Sequence, residues 1–160
     1  MLLFHRLQEK DHRPAIQVVR QYGDLPRVEC YAGHLNQVFM SLLDNAIDAL
    51  EPSQDSDVEA SDTSNRPPPT IRICTEYLES GRVAIRIADN GHGMTKEIQQ
   101  QLFDPFFTTR TVGQGVGLGL SVSYQIVTEQ HQGQLRCVSA PKEGAEFTIE
   151  IPVQQKRADA

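Results

Sequence analysis

TIRICTEYLESGRVAIRIADNGHGM (Thr70–Met94) holds two runs, Thr70–Leu78 and Arg82–Asp89, in which β-branched residues alternate with polar ones on either side of the break Glu79–Gly81. Alternation with period two around a short turn predicts an antiparallel hairpin with one face buried and the other solvated. The hairpin brings Asp89 to the end of a strand. Gly91 and Gly93 follow, and glycines there allow positive φ and a close approach of the backbone to a flat or bulky neighbour. Asn-Gly is also a turn signal in its own right, so other segments must decide what the carboxylate does.

Upstream, GHLNQVFMSLLDNAIDALE (33–51) places Leu35, Val38, Phe39, Leu42, Leu43, Ala46, Ile47 and Leu50 at the spacing of an amphipathic helix that stops before Pro52. AIQVVRQY (15–22) and RVECY (27–31) flank the turn GDLP and read as strands. LLFHRLQEKDHR (2–13) has helical spacing that ends at Pro14. Downstream, TKEIQQQLF (95–103) predicts a short helix and LGLSVSYQIVTEQHQG (118–133) a longer one stopped by Gly133. QLRCVSA and AEFTIEIPV close the chain as a strand pair around PKEG. The pattern predicts an α/β (α+β) two-layer sandwich with helices on one face of a mixed, mostly antiparallel sheet, not a doubly wound one.

Two segments fit neither layer. Residues 51–69 are acidic and proline-rich, with Asp55, Asp57, Glu59 and Asp62 against a lone Arg66 and three closing prolines, which predicts a mobile insertion. DPFFTTRTVGQGVG (104–117) has few apolar anchors and several glycines, the composition of a movable lid.

Composition narrows the function. A net charge of -6 and no basic stripe argue against nucleic-acid binding. No apolar run approaches the ~20 residues needed to span a bilayer, and the N-terminus lacks the features of a signal peptide; the expectation is a soluble, cytoplasmic piece that does not insert into a membrane itself. Cys30, Cys74 and Cys137 are too few and too scattered for a disulfide framework or a zinc site.

GQGVGLGL (113–120) sets Gly113, Gly115, Gly117 and Gly119 before a helix, where free backbone N–H groups and the helix dipole favour an anion such as phosphate. It is neither a Walker P-loop nor a dinucleotide fingerprint. Asn45 lies mid-helix, where asparagine has poor propensity; its amide oxygen suits a hard cation such as Mg²⁺, which keeps waters and draws other ligands from phosphates. Asp44 and Asp48 read as solvated or supporting acids.

LLDNAIDAL, DNGHGM, FDPFFTTR and GVGLGLS, in this order and spacing, resemble the N, G1, F and G2 boxes of the histidine kinase catalytic domain. That family shares its ATP-binding fold with DNA gyrase, the heat-shock chaperone ATPases and the mismatch-repair ATPases. The resemblance implies an ATP-binding catalytic domain over 14–153, preceded by the tail of a dimerisation helix (1–13) and followed by a polar tail (154–160). It implies Mg²⁺ and ATP as cofactors, with Asn45 as the Mg²⁺ ligand and Asp89 accepting a hydrogen bond from the adenine amine beside Gly91, Gly93 and Met94. A carboxylate accepts from adenine's amine but meets an acceptor in guanine. Phe106, Thr109, Gly115, Gly117, Leu118, Gly119 and Leu120 are implied around the nucleotide; Phe103, Phe106 and Phe107 would anchor the lid, and Arg110 would neutralise charge near the terminal phosphate.

The sequence also departs from the pattern. Gyrase-type ATPases place a water-activating Glu where this chain has Ser41, so water attack is disfavoured. Ala145 stands where Thr is common. None of His5, His12, His34, His92 or His131 has the context of a phosphoacceptor, and most of them are expected to be solvated. The expected partners are therefore a histidine-bearing dimerisation domain of the same protein and a response regulator receiver domain, with the isolated domain monomeric and its parent free to be membrane-anchored. The rival readings are a non-catalytic nucleotide-sensing or docking module and a serine kinase of the anti-sigma regulator type.

Overall fold

A computed structural model of the chain describes residues 4–8, 13–51, 67–105 and 119–155. The described elements are α1 (Phe4–Leu7), β1 (Gln17–Tyr22), α2 (Ala32–Leu50), β2 (Thr70–Leu78), β3 (Arg82–Asp89), α3 (Lys96–Gln101), α4 (Gly119–Gln125), β4 (Gln134–Ser139) and β5 (Ala145–Pro152). The strands form one sheet in the order β1-β2-β3-β5-β4. β2–β3, β3–β5 and β4–β5 are antiparallel, while β1 runs parallel to β2 because α2 crosses between them. This is the mixed, mostly antiparallel two-layer arrangement that the alternating runs imply.

α2 buries Leu35, Val38, Leu42, Ala46 and Ile47, the inner stripe of the helix, on one face of the sheet. Beneath it lie Ile71, Val83, Ile87, Phe147, Ile149 and Ile151. The opposite face carries ion pairs instead: Arg86 with Glu76 at 2.9 Å, and Glu150 with Arg82 at 3.0 Å and Arg136 at 3.2 Å. Register follows from this division, since a one-residue slip would exchange the apolar rows for the charged ones. It aligns Ile73, Ile87, Phe147 and Cys137 in one row, and Ile71, Asp89, Ala145 and Ser139 in the next row of that parity. Asp89 therefore sits on the buried face, between the core residues Ile71 and Ala145.

One expectation needs correction, and two others are met only in part. RVECY is not a strand. It is an extended connection from β1 to α2 that makes one backbone bond to the sheet's end, Glu29 N–H to Val153 O at 2.8 Å, and its Val28 and Cys30 pack against the core. Burial accounts for its strand-like composition. The opening helix is described only over Phe4–Leu7, after which the chain returns so that Ile16 N–H bonds Leu7 O at 2.7 Å; residues 9–12 lie outside the described residues. His131 is wholly buried, not solvated. The Tyr31 N–H can only donate, so His131 Nε2 accepts it at 3.0 Å and Nδ1–H donates to Ile126 O at 2.8 Å. That carbonyl opens the π-helical turn Ile126–Gln130 that continues α4, and Tyr31 immediately precedes α2. One imidazole thus ties the end of one helix to the start of another.

Candidate functional site

Asp89 lies where β3 ends, with its Oδ1 accepting the Gly91 N–H at 2.9 Å. Burial raises its pKa above the ordinary carboxylate value; the N–H of Gly91, the charge of His92 and the N–H of Ala145 pull the other way without cancelling it. Such a carboxylate is under-solvated and gains from a further donor. The neighbouring Cys137 thiol is pushed up to about 12, first by burial and then by the charge of Asp89. Cys137 should therefore resist iodoacetamide at neutral pH, because the thiolate is the reacting form; peptide mapping that finds it alkylated as fast as a free thiol contradicts this placement.

The loop after Asp89 is held on three sides. An ideal Cβ on Gly91 would overlap the carbonyl oxygen of Ala49 in α2, and one on Gly93, whose φ is +69°, would overlap that of Ala140. The room left by these glycines is thus occupied by the chain's own backbone. His92 N–H bonds Ala49 O at 3.3 Å, and Lys142 N–H bonds His92 O at 2.6 Å. Met94 N–H donates to Ser139 Oγ at 2.9 Å, Ser139 Oγ–H donates to Gly144 O at 2.6 Å, and Gln99 Nε2 reaches Ser139 O at 2.9 Å. Asn90 secures the outer side: its Oδ1 accepts from Thr70 N–H at 2.8 Å and its Nδ2 donates to Pro68 O at 2.9 Å. Sequence reasoning did not find Asn90, Gln99 or Ser139. No local signal marks them, since the bonds that fix the loop to its surroundings span 20 to 45 positions.

α2 forms the other wall. Ser41, Asn45 and Ala49 follow at four-residue intervals, so they share one helical stripe. The lower end of the stripe abuts Gly119, where an added Cβ would come 2.9 Å from Ser41 Oγ, and its upper end abuts Gly91 through the Ala49 carbonyl. Asn45 lies between these contacts, half-buried. The stripe joins the start of α4 to the Asp89 loop, and three of the sequence-predicted residues, Asn45, Gly91 and Gly119, meet along it. Met94 and Leu120 pack partly buried against the core. Phe103 stacks on Tyr124 of α4 at a ring separation of 5.0 Å, holding together the flanks of residues 106–118. Phe106, Phe107, Thr109, Arg110, Gly115, Gly117 and Leu118 lie outside the described residues. Asp44 and Asp48 are not simply solvated, since both are paired with Arg6.

A strand-end carboxylate and its glycine loop thus pack on the helical stripe that carries a mid-helix asparagine. Residues 31–155 match the family described as histidine kinase-, DNA gyrase B-, and HSP90-like ATPase. The chain belongs to this family. Sporulation kinase E of Bacillus subtilis (strain 168) is 36% identical over 132 residues, which cover 82% of this chain and 15% of that kinase. The chain thus spans a small part of the length of that relative. Among solved structures, the catalytic domain of histidine kinase ThkA matches with a TM-score of 0.68 at 27% identity, covering 86% of this chain and 79% of that domain. ThkA in complex with response regulator protein TrrA matches with a TM-score of 0.65 at 25% identity, covering 87% of this chain and 34% of that one.

Proposed function

We propose that the chain is the catalytic domain of a sensor histidine kinase. It binds Mg²⁺-ATP and presents the γ-phosphoryl group to a histidine on a dimerisation domain, from which a response regulator receiver domain takes it. The observation that carries this reading is Asp89, a desolvated carboxylate at the strand end whose glycine loop packs on the α2 stripe that holds the half-buried Asn45. Asp89 accepts the exocyclic amine of adenine and disfavours guanine, which offers an acceptor at that position. The kinship with sporulation kinase E and ThkA supports the histidine as acceptor, and ThkA solved with TrrA supports the response regulator as the next partner.

The residues present fit a magnesium ion. Asn45 has no hydrogen-bond partner for its amide among the described residues. These residues contain no cluster of three His, Cys, Asp or Glu side chains that could cage a metal. One amide oxygen without a protein cage suits a cation that keeps its waters and completes its shell on phosphates. When bound, the ion neutralises phosphate charge; this chain's part is to hold the base through Asp89, to offer the Asn45 oxygen, and to bring Arg110 toward the terminal phosphate. Ser41 supplies no carboxylate to activate water, which favours transfer to histidine over hydrolysis. Among the described residues, no helix is long and apolar enough to cross a membrane.

Calorimetric titration with ATP, ADP and GTP, with Mg²⁺ and with chelator, tests the reading. Adenine nucleotides should bind and GTP should not. Asn45→Ala should reduce the Mg²⁺-dependent part of the affinity about tenfold or more, as the loss of one charge-assisted contact requires. Labelled ATP and a supplied histidine-bearing hairpin should then give phosphohistidine. ATP binding without any transfer to the hairpin would replace this reading with that of a nucleotide-sensing module.

A further inference from the structure

β3 leaves the sheet abruptly after Asp89. The register runs to Ile71–Asp89, so the next pair in step is Thr70 with Asn90. That pair is closed by one backbone bond, Asn90 N–H to Thr70 O at 3.3 Å, and one side-chain bond, Thr70 N–H to Asn90 Oδ1 at 2.8 Å. A bonded pair in an antiparallel ladder exchanges two N–H···O=C bonds, so the Asn90 amide stands in for its own backbone carbonyl. Its Nδ2 donates to Pro68 O at 2.9 Å, which also accepts from Thr70 Oγ1 at 2.9 Å. The partners fix the amide's orientation, because a backbone N–H can only donate and a carbonyl can only accept. They also fix the residue type. Aspartate has no donor for Pro68, and serine or threonine has one polar atom for two partners. Pro68 and Pro69 have no N–H with which to extend the ladder themselves.

With a side chain in the rung, the backbone after Asp89 turns at once toward α2, where His92 N–H bonds Ala49 O at 3.3 Å and Gly91 lies against the same carbonyl. The Gly91 N–H, which Asp89 Oδ1 accepts at 2.9 Å, belongs to this turn. Asn90 thus stands in the chain between the carboxylate and the N–H that holds it, and its three bonds to Pro68 and Thr70 tie the turn to the entry of β2. We propose that Asn90 is a positioning residue for base recognition: by closing the end of β2–β3 it aims the Asp89 carboxylate and sets the site's preference for adenine over a base with a carbonyl in place of the amine. The proposal rests on the reading of Asp89 as the acceptor of the adenine amine. Hydrogen bonds weaken steeply as distance and angle depart from ideal. A carboxylate that is no longer aimed therefore loses the amine, and loses nothing toward a base that never bonded it.

The test is titration of ADP and inosine diphosphate, which carries a carbonyl where adenine has its amine, into the chain, Asn90→Ala, Thr70→Pro and the double variant. Each is measured at a temperature where its thermal melt shows it folded. Asn90→Ala should weaken ADP roughly three- to tenfold, a part of what a hydrogen bond to a charged group contributes. Inosine diphosphate should bind as before, so the ratio of the two affinities falls by the same factor. Thr70→Pro removes the donor of the same rung from the other strand, at a strand's first residue, where proline is tolerated. It should lower the ratio too, and the double variant should fall no further than Asn90→Ala, since both changes break one contact. A lowered melt with an unchanged ratio, or equal weakening of both ligands, would leave Asn90 a merely structural role, and additive losses in the double variant would remove the link through the rung; each overturns the proposal. A parent chain that binds ADP no better than inosine diphosphate overturns the reading of Asp89 itself, a result distinct from these. If Asn90→Ala does not fold, the ratio in Thr70→Pro decides.

Discussion

Asp89→Asn leaves the chain folded and lowers its affinity for adenine nucleotides about 10- to 100-fold, since a hydrogen bond to an ionised acceptor contributes roughly 1.5–3 kcal/mol. The two halves of this result have opposite physical origins. Burial disfavours the ionised carboxylate and raises its pKa in the folded chain. A raised carboxyl pKa means that the native state carries its full ionisation penalty above the folded pKa and none below the unfolded one. Stability therefore declines as pH rises through that window, and Asp89→Asn removes the decline. Denaturation at neutral pH should find the variant as stable as the parent or more so. Binding shows the reverse, because the adenine amine favours the ionised form; the parent's affinity should fall as pH drops through the raised range, and the variant should lack that limb. Unchanged affinity in Asp89→Asn would show that the carboxylate does not read the base.

Asp89 is also where the sequence was most legible, and the reason is periodicity. The alternation over Thr70–Leu78 and Arg82–Asp89 sets register as well as element, because only one register hides Ile73, Ile87 and Phe147 together. That register puts Asp89 on the helix side. The 3.6-residue pattern of α2 likewise places Asn45 off the core-facing stripe, on the wall that meets Gly91 and Gly119. The strand reading of RVECY failed because a connection that turns Val28 and Cys30 onto the core and Arg27, Glu29 and Tyr31 to solvent has the alternation of a strand without a ladder to join. What could not be read were pairings set by tertiary proximity: Arg6 with Asp44 and Asp48 across 38 and 42 positions, and His131 with Tyr31 across 100. A charge or an imidazole has no period, so nothing local distinguishes a seated one from a solvated one.

The glycines of the Asp89 loop were legible as glycines but not for their cause, and Gly93→Ala shows the difference. Glycine was expected there to make room for a ring, yet the nearest obstacle to a side chain is the Ala140 carbonyl, with Gly144 O at 3.2 Å behind it. With φ at +69°, an alanine also enters the left-handed region, at about 1–2 kcal/mol. Relieving the overlap requires the β4–β5 turn to shift, which strains the Lys142–His92 bond at 2.6 Å and the Met94–Ser139 bond at 2.9 Å and adds about 1–3 kcal/mol. The sum of roughly 2–5 kcal/mol is a large part of the 5–15 kcal/mol that holds a domain of this size. A midpoint lowered by about 5–15 °C should be visible in a thermal melt. Nucleotide binding would weaken in the same variant even at temperatures where it is folded, because the turn that must move leads into Ala145, the cross-strand partner of Asp89, and is tied through Ser139 to Met94. If Gly93→Ala melts with the parent and loses only binding, the ring and not the backbone is what the glycine accommodates.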